Sequence, residues 1–196
     1  RATAATFLDW WWPAMMGSAP GDDLRAGLDG AIRAMLTPFA DTQGFVHRDY
    51  FPANLMRLEG RAGARRTGLL DFQDAGLGHP AYDLVSLVQD ARRDVATAAR
   101  DAAIERYFAA RPGVAREDFT AAMAACAAQR HLRVAALWVR LARRDNKHHY
   151  LVHGPRCWRL LAEALEHPAT TPLRQWLDAA LPRHLRRNPD PAKEPA

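Results

Sequence analysis

A mainly α-helical fold carrying one small β-hairpin is what this sequence predicts, on three observations. Apolar residues recur at helical spacing near both ends of the chain, as in Leu24, Leu28, Ile32 and Leu36, and alanine-rich stretches over 96–110 and 117–143 favour helix by propensity. Between them lie apolar runs too short for helices, Phe45-Val46, residues 54–58 and residues 67–72, with a polar turn over 60–66. With 196 residues, 48% of them hydrophobic, the chain can bury a core as one domain, set here at 1–187 with a disordered tail over 188–196.

Each element has a local reason. Residues 2–12 read as a helix in which the contiguous Trp10-Trp11-Trp12 places at least one ring in the core and another toward a ligand or missing sequence. Asp22 and Asp23 precede Leu24, where the dipole of a starting helix favours acids. That helix is expected to pack behind the loop at 47–54. Gly76 to Pro80 reads as a flexible turn, and Pro80 or Ala81 starts a helix with Leu84, Leu87, Val88 and Ala91 on one face. Pro112-Gly113 separates the two alanine-rich helices, Asp145-Asn146 ends the second, and residues 150–165 and 172–185 form the last two. From Asn188 onward the Pro-rich polar sequence reads as a frayed end.

Composition excludes several classes. Charged residues at 25% with scattered aromatics argue against disorder, and no apolar stretch approaches the roughly 20 residues of a membrane span. The net charge of +5 comes from arginine, as in Arg92-Arg93, Arg143-Arg144 and Arg186-Arg187, yet no nucleic-acid motif accompanies it, so the arginines read as solvated helix faces with no nucleic-acid or membrane partner. Cys126 and Cys157 lack paired spacing and read as buried thiols in a cytoplasmic protein. His148, His149 and His153 include a zinc-like i, i+4 pair, but no third ligand at suitable spacing.

The chemistry sits at 47–54, His-Arg-Asp-Tyr-Phe-Pro-Ala-Asn, and at Asp71 in Gly-Leu-Leu-Asp-Phe. A loop after one short strand presents an acid and then an amide, while a second strand brings another acid opposite. Asp49 can orient an attacking hydroxyl and accept its proton; Asn54 and Asp71 offer hard oxygen ligands to a Mg²⁺ that bridges nucleotide phosphates. His47 reads as packing under the loop and fixing it. The combination points to phosphoryl transfer; either half alone could be a surface turn or a strand end.

Those residues, with Leu-Leu-Asp71-Phe-Gln-Asp and Gly78-His-Pro-Ala-Tyr-Asp83-Leu, resemble the aminoglycoside phosphotransferase and choline kinase superfamily, specifically its C-terminal lobe. The resemblance covers nearly the whole chain and implies the C-terminal lobe of a protein-kinase-like α+β fold, with ATP and Mg²⁺ as cofactors. The stretches Gln89-Asp-Ala-Arg-Arg-Asp-Val and Arg144-Asp-x-Lys-x-x-Tyr-Leu-x-x-x-Pro-Arg-x-Trp158 resemble the bacterial anomeric kinases of cell-wall amino sugars, which act on N-acetylmuramate and N-acetylglucosamine. By this resemblance Asp83 braces the catalytic loop, with a helix-capping acid as the plain alternative. Asp90, with Arg93 nearby, faces the substrate from the helix after Asp83, or lies on a solvated face. Met56 and Leu70 floor the adenine site, or are simple core. Another small-molecule kinase, and an inactive pseudokinase or interaction module, are the competing readings.

Kinases of this fold clamp phosphates with a glycine-rich loop and a lysine on an N-terminal β-lobe. Here the two lysines, Lys147 and Lys193, both follow Asp49, and the chain opens inside a helix without methionine, so it is expected to lack that lobe and to be inactive by itself.

Overall fold

Phe7, Leu8, Trp11 and Trp12 are buried because the N-terminal helix changes pitch beneath them. In this computed structural model, which describes residues 2–190, helix α1 (Ala2–Thr6) passes through a π-helical turn, Phe7–Trp11, into α2 (Trp12–Met16). The Trp12 N–H donates to Phe7 O, the wide bond of a π-turn, and two adjacent tryptophans point inward while Trp10 stays half-buried. Phe7 stacks on Trp11 with centroids 4.6 Å apart, and Trp11 Nε1 donates to Arg187 O at 2.9 Å. The structure is mainly helical with two small antiparallel sheets. It comprises two compact units, Arg1–Pro38 with Ala124–Ala196, and Phe39–Met123.

In the first unit, α3 (Asp22–Leu36) buries Leu28, Ile32 and Met35; Leu24 and Leu36, expected on the same stripe, are only half-buried. Its main partners are α8 (Thr171–Ala180) and α1. Gly27 permits the α8 approach, since a Cβ there would lie 2.9 Å from Trp176 Nε1.

The long α6 (Arg116–Asp145) buries small residues, among them Ala125, Ala128, Ala135, Ala136 and Ala142. Arg130, 4% exposed, and His131 are buried in it as well, so the arginines do not all form a solvated face. Asn146, at φ 55, ends the helix, and Lys147 N–H reaches back to Leu141 O at 3.0 Å. The helix expected from Tyr150 is a 3-10 stretch, His148–His153, followed by α7 (Gly154–Leu165), because Pro155 lacks an N–H and suits only a first turn. Likewise α8 stops at Ala180, ahead of Pro182, and Arg183–Leu185 forms a separate turn.

Asn188 is a correction of physical interest. It is 8% exposed, and its side-chain amide donates to Ala135 O at 2.9 Å and accepts from Trp158 Nε1 at 2.9 Å, so both ends of the buried amide are satisfied within the protein. Residues 191–196 of the expected tail lie outside the described residues. Cys126 and Cys157 are buried and in no disulfide; burial pushes the Cys126 thiol up to about 12, and Trp138 Nε1 donates to Cys157 Sγ at 3.3 Å. Among the described residues no group of three or more His, Cys, Asp and Glu stands together as a possible metal site. Nor is any described helix long and apolar enough to cross a membrane.

The second unit carries β1 (Gly44–Val46), β2 (Leu55–Arg57), β3 (Thr67–Leu69) and β4 (Gly76–Gly78). β2 pairs with β3 as the expected hairpin, with Met56 opposite Gly68. β4 is a strand, not the expected flexible turn, and pairs with β1 with Phe45 opposite Leu77. Two glycines obscured it; a Cβ on Gly76 would lie 3.0 Å from Arg48 Nη2, the far end of a flexible side chain. Then α4 (Ala81–Val88) and α5 (Thr97–Ala109) pack together.

His79 heads α4, its Nδ1 accepting the Ala81 N–H at 3.1 Å while the ring packs on Phe39 and Phe119. Burial holds its pKa below the ordinary 6.5. The folded chain thus prefers the neutral ring, and as pH falls the unfolded chain protonates first. Stability from this residue is complete above 6.5 and is lost as pH drops from there through the lowered folded value. The urea midpoint should fall between about pH 7 and about pH 5, and fall less in His79→Asn, whose amide oxygen can still accept the Ala81 N–H. Equal pH slopes in both proteins would refute this.

Candidate active site

Backbone geometry builds the site. After β1 the chain turns at Arg48, whose φ of 71 is costly for a side chain without local compensation. The Asp83 carboxylate supplies it: Oδ2 accepts the His47 N–H at 2.6 Å and Oδ1 the Arg48 N–H at 3.0 Å. An acid in the first turn of α4 thus fastens the loop that leads into Asp49. His47 is 1% exposed, its ring edge-on to Tyr50 at 6.0 Å, and neither ring nitrogen has a hydrogen-bond partner. Burial, with the Asp83 charge adding to it, pushes the Tyr50 phenol up.

Past Asp49, which is half-buried, the loop closes on itself through Phe51 N–H to Asp49 O at 3.0 Å and a 3-10 turn, Pro52–Asn54. Asn54 therefore precedes strand β2, where the sequence reading had placed it in the strand. Its Nδ2 donates to Asp49 O at 3.0 Å, and its backbone O accepts the Leu70 N–H at 2.9 Å. Asp71 lies two residues beyond the end of β3, at φ 61, also outside its expected strand. The two turns bring Asn54 Nδ2 to 3.4 Å from Asp71 Oδ2, and Gln73 Nε2 donates to Asp71 Oδ1 at 2.7 Å.

The donor set suits Mg²⁺. Asn54 Nδ2 faces both Asp49 O and Asp71 Oδ2, so the amide oxygen would join the Asp71 carboxylate on a metal after the side-chain amide turns over. An amide and a carboxylate are too few for an all-protein cage, but Mg²⁺ keeps several waters and takes the rest of its shell from phosphates.

Asp90 and Arg93 contact each other, Arg93 Nε lying 3.2 Å from Asp90 Oδ2. Asp90 is neither on the helix nor solvated as expected: α4 ends at Val88, and the carboxylate, 2% exposed, also accepts the Arg92 N–H at 2.8 Å. Such a short residue past a helix end bonds the backbone two residues on more readily than it continues the helix. Arg92 lays its guanidinium 4.5 Å over Phe51 of the 47–54 loop. Met56 and Leu70 are 47% and 42% exposed, against their reading as simple core. Arg48, Gln73 and the Arg92–Phe51 contact had no signal in the spacing; a positive φ and an aromatic partner are visible only in three dimensions.

An acid with a neighbouring amide and second acid, on a mainly helical scaffold with short antiparallel strands, is the arrangement expected of the phosphotransferase family. The comparisons agree: residues 4–119 match the phosphotransferase enzyme family, APH, and the chain belongs to that family, which carries a kinase-like fold. It is 43% identical over 148 residues to an N-acetylmuramate/N-acetylglucosamine kinase of Caulobacter vibrioides, covering 76% of this chain and 41% of that protein. Kinases of the same name from Pseudomonas aeruginosa and Pseudomonas putida are 39% and 30% identical over 127 and 172 residues, or 62% and 84% of this chain and 36% and 49% of theirs. The chain thus spans less than half the length of these curated relatives.

Proposed function

We propose that this chain is the C-terminal lobe of an ATP-dependent kinase that phosphorylates the anomeric hydroxyl of N-acetylmuramate or N-acetylglucosamine, a cytoplasmic step in cell-wall recycling. The observation that carries the reading is the meeting of Asn54 and Asp71 next to Asp49 O. Mg²⁺, when bound there, neutralises charge on the nucleotide phosphates. Asp49 orients the sugar hydroxyl and takes its proton as the oxygen–phosphorus bond forms and the bond to ADP breaks. Most of the rate then comes from positioning, which is what the bonds to Asp83 and the closure at Asn54 supply.

Met56 and Leu70 serve as an adenine floor, and the exposure of Leu69 and Phe72 beside them supports an apolar surface awaiting cover by nucleotide and an N-terminal lobe. Asp90 and Arg93 act at the acceptor side as a pre-formed pair. Arginine-rich surroundings favour an acceptor bearing a carboxylate over a polycation, whose desolvation there would be unfavourable.

Incubation of the complete gene product with ATP, Mg²⁺ and each sugar tests this by phosphorus NMR. The expected product is an acid-labile sugar 1-phosphate, and efficient turnover of kanamycin with none of either sugar would overturn the assignment.

A further inference from the structure

Two side-chain amides meet the Asp71 carboxylate at opposite oxygens, and they hold it unequally. Gln73 Nε2 donates to Oδ1 at 2.7 Å, while Asn54 Nδ2 stands 3.4 Å from Oδ2 and lies closer to Asp49 O, at 3.0 Å. The first is a short, charge-assisted bond, and the second is at the outer limit of a hydrogen bond. When the Asn54 amide turns its oxygen toward a metal, the contact to Oδ2 is given up and the Gln73 bond to Oδ1 is not. Asp71 is then left with Oδ2 open and Oδ1 occupied.

The backbone aims Gln73 at this contact. Asp71 stands at φ 61, a conformation that persists where surrounding bonds fix it. Before it, Leu70 N–H bonds Asn54 O at 2.9 Å; after it, Ala75 N–H bonds Phe72 O at 3.0 Å and closes a turn with Gln73 at its second position, just ahead of β4. The segment is thus fastened on both sides, and the turn returns the Gln73 side chain to Asp71. A plain brace for a surface turn is the competing reading. Both residues are exposed, so such a bond adds little to stability, and a brace gives no reason for one oxygen to be held tightly and the other by a partner that must leave.

We propose that Gln73 is a positioning residue that restricts Asp71 to offering one oxygen, and so tunes the site to Mg²⁺ over larger divalent cations. This deepens the kinase reading and rests on its assignment of Asn54 and Asp71. Mg²⁺ demands near-ideal octahedral geometry and keeps several waters, whereas Ca²⁺ takes roughly six to eight oxygens and readily accepts both from one carboxylate. With Oδ1 bonded to the Gln73 N–H, the two-oxygen mode is obstructed. The donor's neutrality matters as well. An amide fixes Oδ1 and leaves the carboxylate its negative charge for a metal, where a guanidinium in the same place would neutralise it.

The test titrates the complete gene product with ADP by calorimetry in excess Mg²⁺, in excess Ca²⁺ and in EDTA, for wild type, Gln73→Met and Gln73→Ala, with Asp71→Ala as the reference. The readout is the gain in ADP affinity that each metal confers over EDTA, which needs no turnover. In both Gln73 variants the Mg²⁺ gain should fall about tenfold and the Ca²⁺ gain about twofold or less, with ADP affinity in EDTA unchanged. A ratio of Mg²⁺ gain to Ca²⁺ gain within about twofold of wild type would overturn the proposal, whether or not the urea midpoint falls, because a plain brace weakens both metals alike. A loss in EDTA equal to the loss in Mg²⁺ would overturn it too, since Gln73 would then be acting on the nucleotide itself. If Asp71→Ala leaves both gains intact, the metal site of the kinase reading fails and the role of Gln73 falls with it. If Asp71→Ala abolishes the gains and the Gln73 variants leave them unchanged, only the role of Gln73 fails.

Discussion

Asp49→Asn lowers kcat of the complete gene product by at least about two orders of magnitude and leaves nucleotide affinity nearly intact, because an amide cannot take the acceptor's proton yet fills the same space. The substitution leaves in place the backbone carbonyl of residue 49, which is what Asn54 bonds, so the amide at 54 keeps its orientation. Asp71→Ala behaves differently. It removes the carboxylate that faces Asn54 and weakens binding of the Mg²⁺-nucleotide, seen as a raised KM for ATP and a higher Mg²⁺ requirement. Calorimetric titration with ATP and Mg²⁺, set beside steady-state rates, separates the two effects. Equal, modest losses of turnover in both variants, with unchanged nucleotide affinity, would refute the division of roles.

The hairpin and most helices were legible from the sequence because their cause is local. Period-2 and period-3.6 patterns, turn residues and alanine content carried β2, β3, α4, α5 and α6. What failed depended on partners distant in sequence. β4 looks like a loop until β1 pairs with it, and Asn188 looks like solvent-facing tail until Ala135 and Trp158 meet its amide. The π-turn at Phe7–Trp11 leaves no periodic trace in so short a segment.

At the site, the residue types and spacing of Asp49, Asn54 and Asp71 were legible, and the conformations that join them were not. Both Arg48 and Asp71 adopt positive φ without being glycine. Local propensity argues against such a conformation, and it persists only where surrounding bonds over-determine it. Asp90 shows the same limit from the other side: the helical pattern continued past Val88, but the carboxylate found a backbone N–H and a guanidinium that turned the chain away.

The positive φ at Arg48 makes Asp83 the most exacting residue outside the chemistry. Two charge-assisted bonds, at 2.6 and 3.0 Å, hold a backbone conformation that costs about 1–3 kcal/mol by itself. Asp83→Ala removes both and leaves the buried His47 without its backbone acceptor, so the protein should lose about 2–4 kcal/mol of stability, read as a lowered urea midpoint. Because Asp49 follows Arg48 directly, the released loop also misplaces the base, and kcat should fall about tenfold or more with KM for ATP changed far less. Asp83→Asn keeps the shape but presents an N–H donor to one of the two N–H groups, so it should behave closer to Ala than to the parent. A helix-capping acid with no part in the loop predicts the opposite pattern: a small loss of stability in Asp83→Ala, near-recovery in Asp83→Asn, and kcat within about twofold of the parent in both.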